Sequence, residues 1–208
     1  MLKSILVAFT LFIAFADANA QEQFGVDANH ELPEGINVGD KAPHIKAHDL
    51  DGNLFDSHKV LKGKDIIVIF YRGYWCPACD RHLSNLSDSL QYISEKGAVV
   101  VAITPETPEN AMTTAENSGA NFIILSDHTE ELMEEFDVLF KVTEVYQNKI
   151  SAKRGKGIDE INGQAEANLP VPATFVINKD GNIGYKHFDL DYHNRASVAL
   201  LISYLDQT

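Results

Sequence analysis

A chain of 208 residues with 45% apolar and 23% charged residues is long enough for one domain with a sizeable core and has the composition of a globular protein. The composition excludes a collagen-like, disordered or multi-span membrane chain. The formal net charge of −13 argues against a nucleic acid or an anionic membrane surface as partner.

The first segment reads as an export signal. Lys3 precedes an apolar run over residues 5–16, and Ala18 and Ala20 fit the small-residue rule for cleavage after Ala20. The run is short for a bilayer span, which disfavours the rival reading as an uncleaved anchor. The expected organisation is a signal peptide over 1–20, an N-terminal segment over 21–37 and one domain over 38–208. Such a product is periplasmic or secreted, where disulfides persist.

Further along, residues 39–56 read as a short hairpin entry with an Asp-Gly turn at 51–52. Residues 65–71, "DIIVIFY", form a continuous β-branched apolar run, the pattern of a strand buried on both faces. A helix is predicted from about Cys76 to Lys96, then a second buried strand over 98–104. A helix ending at Gly119, a strand over 121–126 and an acidic helix over 128–137 follow. Residues 138–170 read as irregular, and the basic stretch "KISAKRGKG" within them reads as a solvated loop; the sharper alternative is a loop bordering the active site. Strands over 173–178 and 182–188 are joined by a "KDG" turn, and a helix over 194–205 closes the chain. The alternation predicts an α/β fold, a central mixed sheet with helices on both faces.

The chain has two cysteines, Cys76 and Cys79, in "YRGYWCPACDRHL". A bridge between them closes too small a loop to restrict the unfolded chain, so a redox role fits better than a structural one. Cys76 falls at the predicted helix start, where unpaired N–H groups and the dipole favour a thiolate, and Pro77 suits the first turn. Cys79 lies on an apolar stripe with Leu83, Leu86, Leu90 and Ile93. Cys76 is therefore expected as the exposed nucleophile and Cys79 as the shielded resolving sulfur. Trp75 and Tyr74 flank the mouth or simply belong to the core. Zinc normally takes four ligands and no second pair exists, so no metal and no cofactor are expected, although His82 stands close enough in sequence to join a soft-metal site.

A second element, "NLPVPATFVINKDG" at 168–181, places Pro172 at the start of a buried strand. Together these features resemble the thioredoxin superfamily, in which W-C-x-x-C opens the first long helix and a cis-proline faces the cysteines. More closely, "GDKAP", "FYRGYWCPAC", "FIILSD", "LPVPATFVINKDG" and "DLDYHNRAS" are similar to the peroxiredoxin-like branch of the alkyl hydroperoxide reductase/thiol-specific antioxidant (AhpC/TSA) family, over roughly residues 38–205. The resemblance implies a thioredoxin-like fold with an N-terminal hairpin. It implies catalytic Cys76 and Cys79, and a substrate site at Trp75, Arg72, Val171 and Pro172, the Val171 backbone binding an extended segment. The chain departs from typical members at three places. Gly73 stands where a hydroxyl residue orients peroxide, Pro172 and Ala173 where an arginine activates the thiolate, and Phe70 where thioredoxins carry a buried aspartate. Arg72 either substitutes for the missing arginine or forms a surface ion pair. The resemblance over the whole chain favours thiol-dependent reduction of hydroperoxides; exchange with protein disulfides is the alternative, and a metal-binding module trails as a third. In either of the first two, a thioredoxin-like protein or a membrane thiol reductant is the implied electron donor.

Overall fold

The computed structural model describes residues 23–27 and 29–207, so the expected signal peptide lies outside the described residues. Five strands make the central sheet, in the order β5 (Ile123–Ser126), β4 (Ala98–Thr104), β3 (Asp65–Phe70), β8 (Ala173–Ile177) and β9 (Ile183–Phe188). β3 pairs parallel with β4, and β4 with β5, whereas β8 runs antiparallel to both β3 and β9. Burial on both faces explains the apolar run of β3 after Asp65. Ile66, Val68 and Phe70 face one layer, where Phe70, Phe136 and Phe175 pack with centroids 5.2 to 6.2 Å apart. Ile67 and Ile69 face the other, against Leu86, Ile93 and Leu201.

The helices cover both faces. α1 (Ser57–Val60) follows the hairpin of β1 (Lys46–His48) and β2 (Leu54–Asp56). The predicted helix over 76–96 is two helices, α2 (Pro77–Asp88) and α3 (Leu90–Glu95), broken at Ser89. The break falls on Asp-Ser, two residues whose side chains compete for backbone hydrogen bonds. The apolar stripe survives it, with Cys79, Leu83, Leu86 and Ile93 all fully buried. α4 (Pro108–Ser118) begins at the Thr107 cap and stops at Gly119, whose φ of 64° closes the helix. The acidic helix is shorter than expected, α5 spanning Glu131–Glu135.

Residues 138–170 are not irregular. They hold β6 (Leu139–Lys141), α6 (Glu144–Arg154), α7 (Ile158–Asn162) and β7 (Asn168–Pro170), with β6 and β7 paired antiparallel. These short elements hide in the sequence because α6 buries only Tyr146 and Ile150, too few apolar positions to mark a helical period. The chain ends in α8 (Val198–Leu205), capped by Ser197, so residues 194–197 are not helical. No helix of the described residues is long and apolar enough to cross a membrane.

Candidate active site

The site forms where β3 ends and α2 begins. Residues 71–75 make the connection, and Gly73 is its turning point with φ of +140°. A Cβ there would lie 2.9 Å from both Glu106 Oε1 and Trp75 Nε1. Gly73 is therefore required by the local backbone, which is the physical reason that no threonine or serine stands three residues before Cys76. Glu106, fully buried, accepts the Tyr74 N–H at 2.8 Å and the Thr114 hydroxyl at 2.8 Å, and so ties this turn to β4 and α4. Burial raises its carboxyl above the usual range, against the lowering effect of those hydrogen bonds.

Cys76 is the N-cap of α2 and is joined to Cys79 by a disulfide, with the two Cα atoms 5.3 Å apart. Its sulfur accepts the Cys79 N–H at 3.3 Å, so the sulfur occupies the place of a capping oxygen over the helix dipole. Contrary to the expected exposed nucleophile, Cys76 is only 1% exposed in this oxidised form, beside Cys79 at 0%. Trp75, also buried, and the arginine below enclose it.

Arg72 is not in a surface ion pair. It is buried, donates from Nη2 to Cys76 Sγ at 3.3 Å and from Nη1 to the Tyr146 hydroxyl at 2.8 Å, and its guanidinium lies 3.4 Å over the Tyr192 ring. Burial lowers its affinity for the proton, offset in part by Tyr146. Its Nε–H and the indole N–H of Trp75 are buried without a partner. Tyr146 comes from α6, within the region read as irregular, and Tyr192 from the segment before α8. Neither was singled out in the sequence, because a tyrosine in a weakly amphipathic stretch carries no spacing signal.

A second arginine was also missed, although "DLDYHNRAS" contains it. Arg195 donates from Nη2 to Cys79 Sγ at 3.2 Å, from Nη1 to the Phe70 carbonyl at 3.2 Å and from Nε to the Tyr192 carbonyl at 3.0 Å. Burial, then the charge of Arg72, pushes its pKa down to about 9. The ion pairs among the described residues all use lysine or histidine, so neither arginine is paired with a carboxylate. The basic stretch 149–157 does border the site, since Arg154 at the end of α6 donates to the Trp75 carbonyl at 3.0 Å.

Val171 and Pro172 are buried and differ from the expected clamp. No described peptide bond is cis. The Val171 N–H donates to the Val138 carbonyl at 2.7 Å, which extends the β6–β7 pairing by one residue before β8 begins. The backbone donor needed to bind an extended substrate is thus already taken.

Two groups bear on metal binding. His82 is 7% exposed, and burial, followed by the charges of Arg195 and His187, lowers its pKa to about 3. A neighbouring guanidinium disfavours a cation there. Away from the cysteines, His44, Asp56 and His58 bring ligand atoms within 4.8 Å of one another. Their two imidazoles stack with centroids 3.7 Å apart and planes within 2° of parallel, so their in-plane lone pairs do not converge on one ion. His44 Nε2 lies 2.9 Å from Asp56 Oδ1 instead.

A C-x-x-C disulfide at a helix N-terminus on a mixed sheet defines a thioredoxin-fold thiol protein. The AhpC/TSA family description matches residues 38–186, and the chain belongs to that family. Among curated relatives, a putative peroxiredoxin of Mycobacterium tuberculosis is 29% identical over 148 residues, covering 71% of this chain and 82% of its own. Peroxiredoxin Bcp of Escherichia coli is 27% identical over 168 residues, covering 79% and 94%. Among solved structures, peroxidoxin BcpB from Mycobacterium tuberculosis superposes with a TM-score of 0.61 at 18% identity, over 85% of this chain and 98% of that one.

Proposed function

We propose that the protein is an exported, thiol-dependent peroxidase that cycles between a Cys76/Cys79 dithiol and the disulfide. The observation that carries this reading is the Arg72 guanidinium, which touches the Cys76 sulfur while its Nε–H stays buried and unpaired. A cation beside the sulfur favours the thiolate. An orphaned donor beside that thiolate is complementary to an oxygen acceptor such as a hydroperoxide, because a buried unpaired N–H is costly until it is satisfied. Arg72 and Tyr146, whose hydroxyl accepts from Arg72 and keeps its own proton to donate, take over the tasks that Gly73 and Pro172 cannot perform.

The chemistry follows. The Cys76 thiolate attacks the terminal oxygen of the hydroperoxide; the O–O bond breaks, the alcohol or water leaves with a proton, and Cys76 becomes a sulfenic acid. Cys79 then forms the disulfide with loss of water. A thioredoxin-like protein or a membrane thiol returns two electrons by thiol–disulfide exchange. The names of the relatives support the peroxidase assignment. The charged, apolar and small-residue order of residues 1–20 supports export to the periplasm or beyond.

Trapping the intermediate tests the reading. Cys79→Ser treated with one equivalent of hydroperoxide should carry a sulfenic acid on Cys76, seen by mass spectrometry as a dimedone adduct; Cys76→Ser should carry none. If Cys79→Ser gives no sulfenic acid but forms a mixed disulfide readily with an oxidised protein, the substrate is a protein disulfide and the peroxidase reading fails.

A further inference from the structure

Each sulfur of the pair has its own guanidinium. Arg72 meets Cys76, and Arg195, 123 residues later in the chain, meets Cys79. In the disulfide both sulfurs are neutral and weak acceptors, yet no carboxylate among the described residues is in ion-pair contact with either cation; Asp191 senses the charge of Arg72 from a distance. Cations at a covered site with no anion in contact are unfavourable unless one joins them. Reduction of the disulfide supplies that anion.

We propose that Arg195 holds the Cys79 sulfur as a thiolate in the reduced protein, so that the resolving cysteine enters its reaction already deprotonated. The guanidinium is fixed for the task by the Phe70 and Tyr192 carbonyls. Phe70 occupies the position where thioredoxins carry a buried aspartate to accept the second cysteine's proton. Here the backbone of that residue anchors a cation, and no proton acceptor is needed. Of the titratable groups facing Arg195, Arg72 comes from the β3–α2 connection and His82 from α2, and His82 is neutral. His187, on β9, is the further charge that His82 senses. The acid next to Cys79 on α2 is Asp80, which burial holds toward its neutral form and whose charge is met by Arg154.

On the peroxidase reading the step is balanced without an added base. The Cys79 thiolate attacks the sulfur of Cys76 sulfenic acid, the S–S bond forms, the S–O bond breaks, and the departing hydroxide takes a proton to become water. Only this named step rests on that reading; the ionisation of Cys79 does not.

The test uses Cys76→Ser, whose single thiol is Cys79, and follows the ultraviolet absorbance of the thiolate against pH with no peroxide present. The expected Cys79 pKa lies well below the free-thiol value of about 8.5. Arg195→Gln in the same background should raise it by at least one unit, a ~10-fold smaller thiolate fraction on the acid side; Arg195→Lys should restore part of the shift. A Cys79 pKa of about 8.5 or above in Cys76→Ser overturns the proposal, and so does an unchanged pKa in the Arg195→Gln protein. Should Arg195→Gln fail to fold, the titration of Cys76→Ser alone decides. A normal Cys79 pKa together with a trapped Cys76 sulfenic acid would sink this inference and leave the peroxidase intact.

Discussion

Replacing Arg72 by methionine, in a Cys79→Ser background that leaves Cys76 alone, removes one charged donor from the reacting sulfur and little else from the helix start. The lost contact is the Nη2···Sγ hydrogen bond of 3.3 Å. A hydrogen bond to a charged group contributes about 1.5–3 kcal/mol, and one pKa unit corresponds to about 1.4 kcal/mol, so the Cys76 pKa should rise by about one to two units. The capping contribution of α2 remains, because the Cys79 N–H that Cys76 accepts is a backbone group. The variant should fold but be less stable than the parent. The contact of Arg72 with the Tyr192 ring at 3.4 Å and its hydrogen bond to the Tyr146 hydroxyl at 2.8 Å are also lost, worth roughly 2 kcal/mol and about 1.5–3 kcal/mol when desolvated, offset in part because a buried cation with no carboxylate in contact disappears. Titration of thiolate absorbance, with thermal unfolding as a control for folding, reads the effect. Arg72→Lys should fall between the two, since it keeps the charge and loses the planar fork. A Cys76 pKa that is the same with and without Arg72 would refute the argument that this guanidinium activates the sulfur.

Gly73→Thr restores the hydroxyl typical of the family but places a Cβ 2.9 Å from Glu106 Oε1 in a backbone at φ +140°. The strain alone amounts to ~1–3 kcal/mol, so this variant should melt earlier and turn over peroxide more slowly; a variant as stable as the parent and faster would contradict the reading of the turn. His82 supplies a pH signature. Its folded pKa of about 3 lies below the unfolded value near 6.5, so the unfolded chain binds more protons between them. The neutral-His82 contribution is present in full above about pH 6.5 and fades as pH falls toward about 3, reaching ~2 kcal/mol of loss by about pH 5. His82→Gln should lose ~2 kcal/mol less than the parent between about pH 7 and 5 in denaturant titrations; equal losses would show that His82 is not buried neutral.

The sheet was legible because its strands are buried on both faces, and "DIIVIF", "AVVVAIT" and "ATFVI" are dominated by β-branched and other apolar residues. The cysteine pair was legible because Pro77 and the apolar stripe fix where α2 begins and which face Cys79 takes. What surrounds the sulfurs was not. Arg72 sits four residues before Cys76, and sequence alone leaves it between the sulfur and solvent; burial decides. Arg195, Tyr146 and Tyr192 arrive from distant segments whose own patterns are weak, and their roles exist only once the chain is folded. The expected exposure of Cys76 and the Val171–Pro172 clamp failed for a related reason. Both depend on which groups the fold has already covered or paired, here Trp75 over the disulfide and the Val138 carbonyl on the Val171 N–H.

Stopped-flow oxidation of the fully reduced protein by hydrogen peroxide tests the central claim most directly. Trp75, the single tryptophan and the neighbour of Cys76, reports the reaction by fluorescence. A working peroxidase site predicts oxidation far faster than that of a free thiol, ending in the Cys76–Cys79 disulfide. Oxidation no faster than a free thiol, beside rapid exchange with a model protein disulfide, would contradict it and assign this dithiol to the disulfides of other proteins.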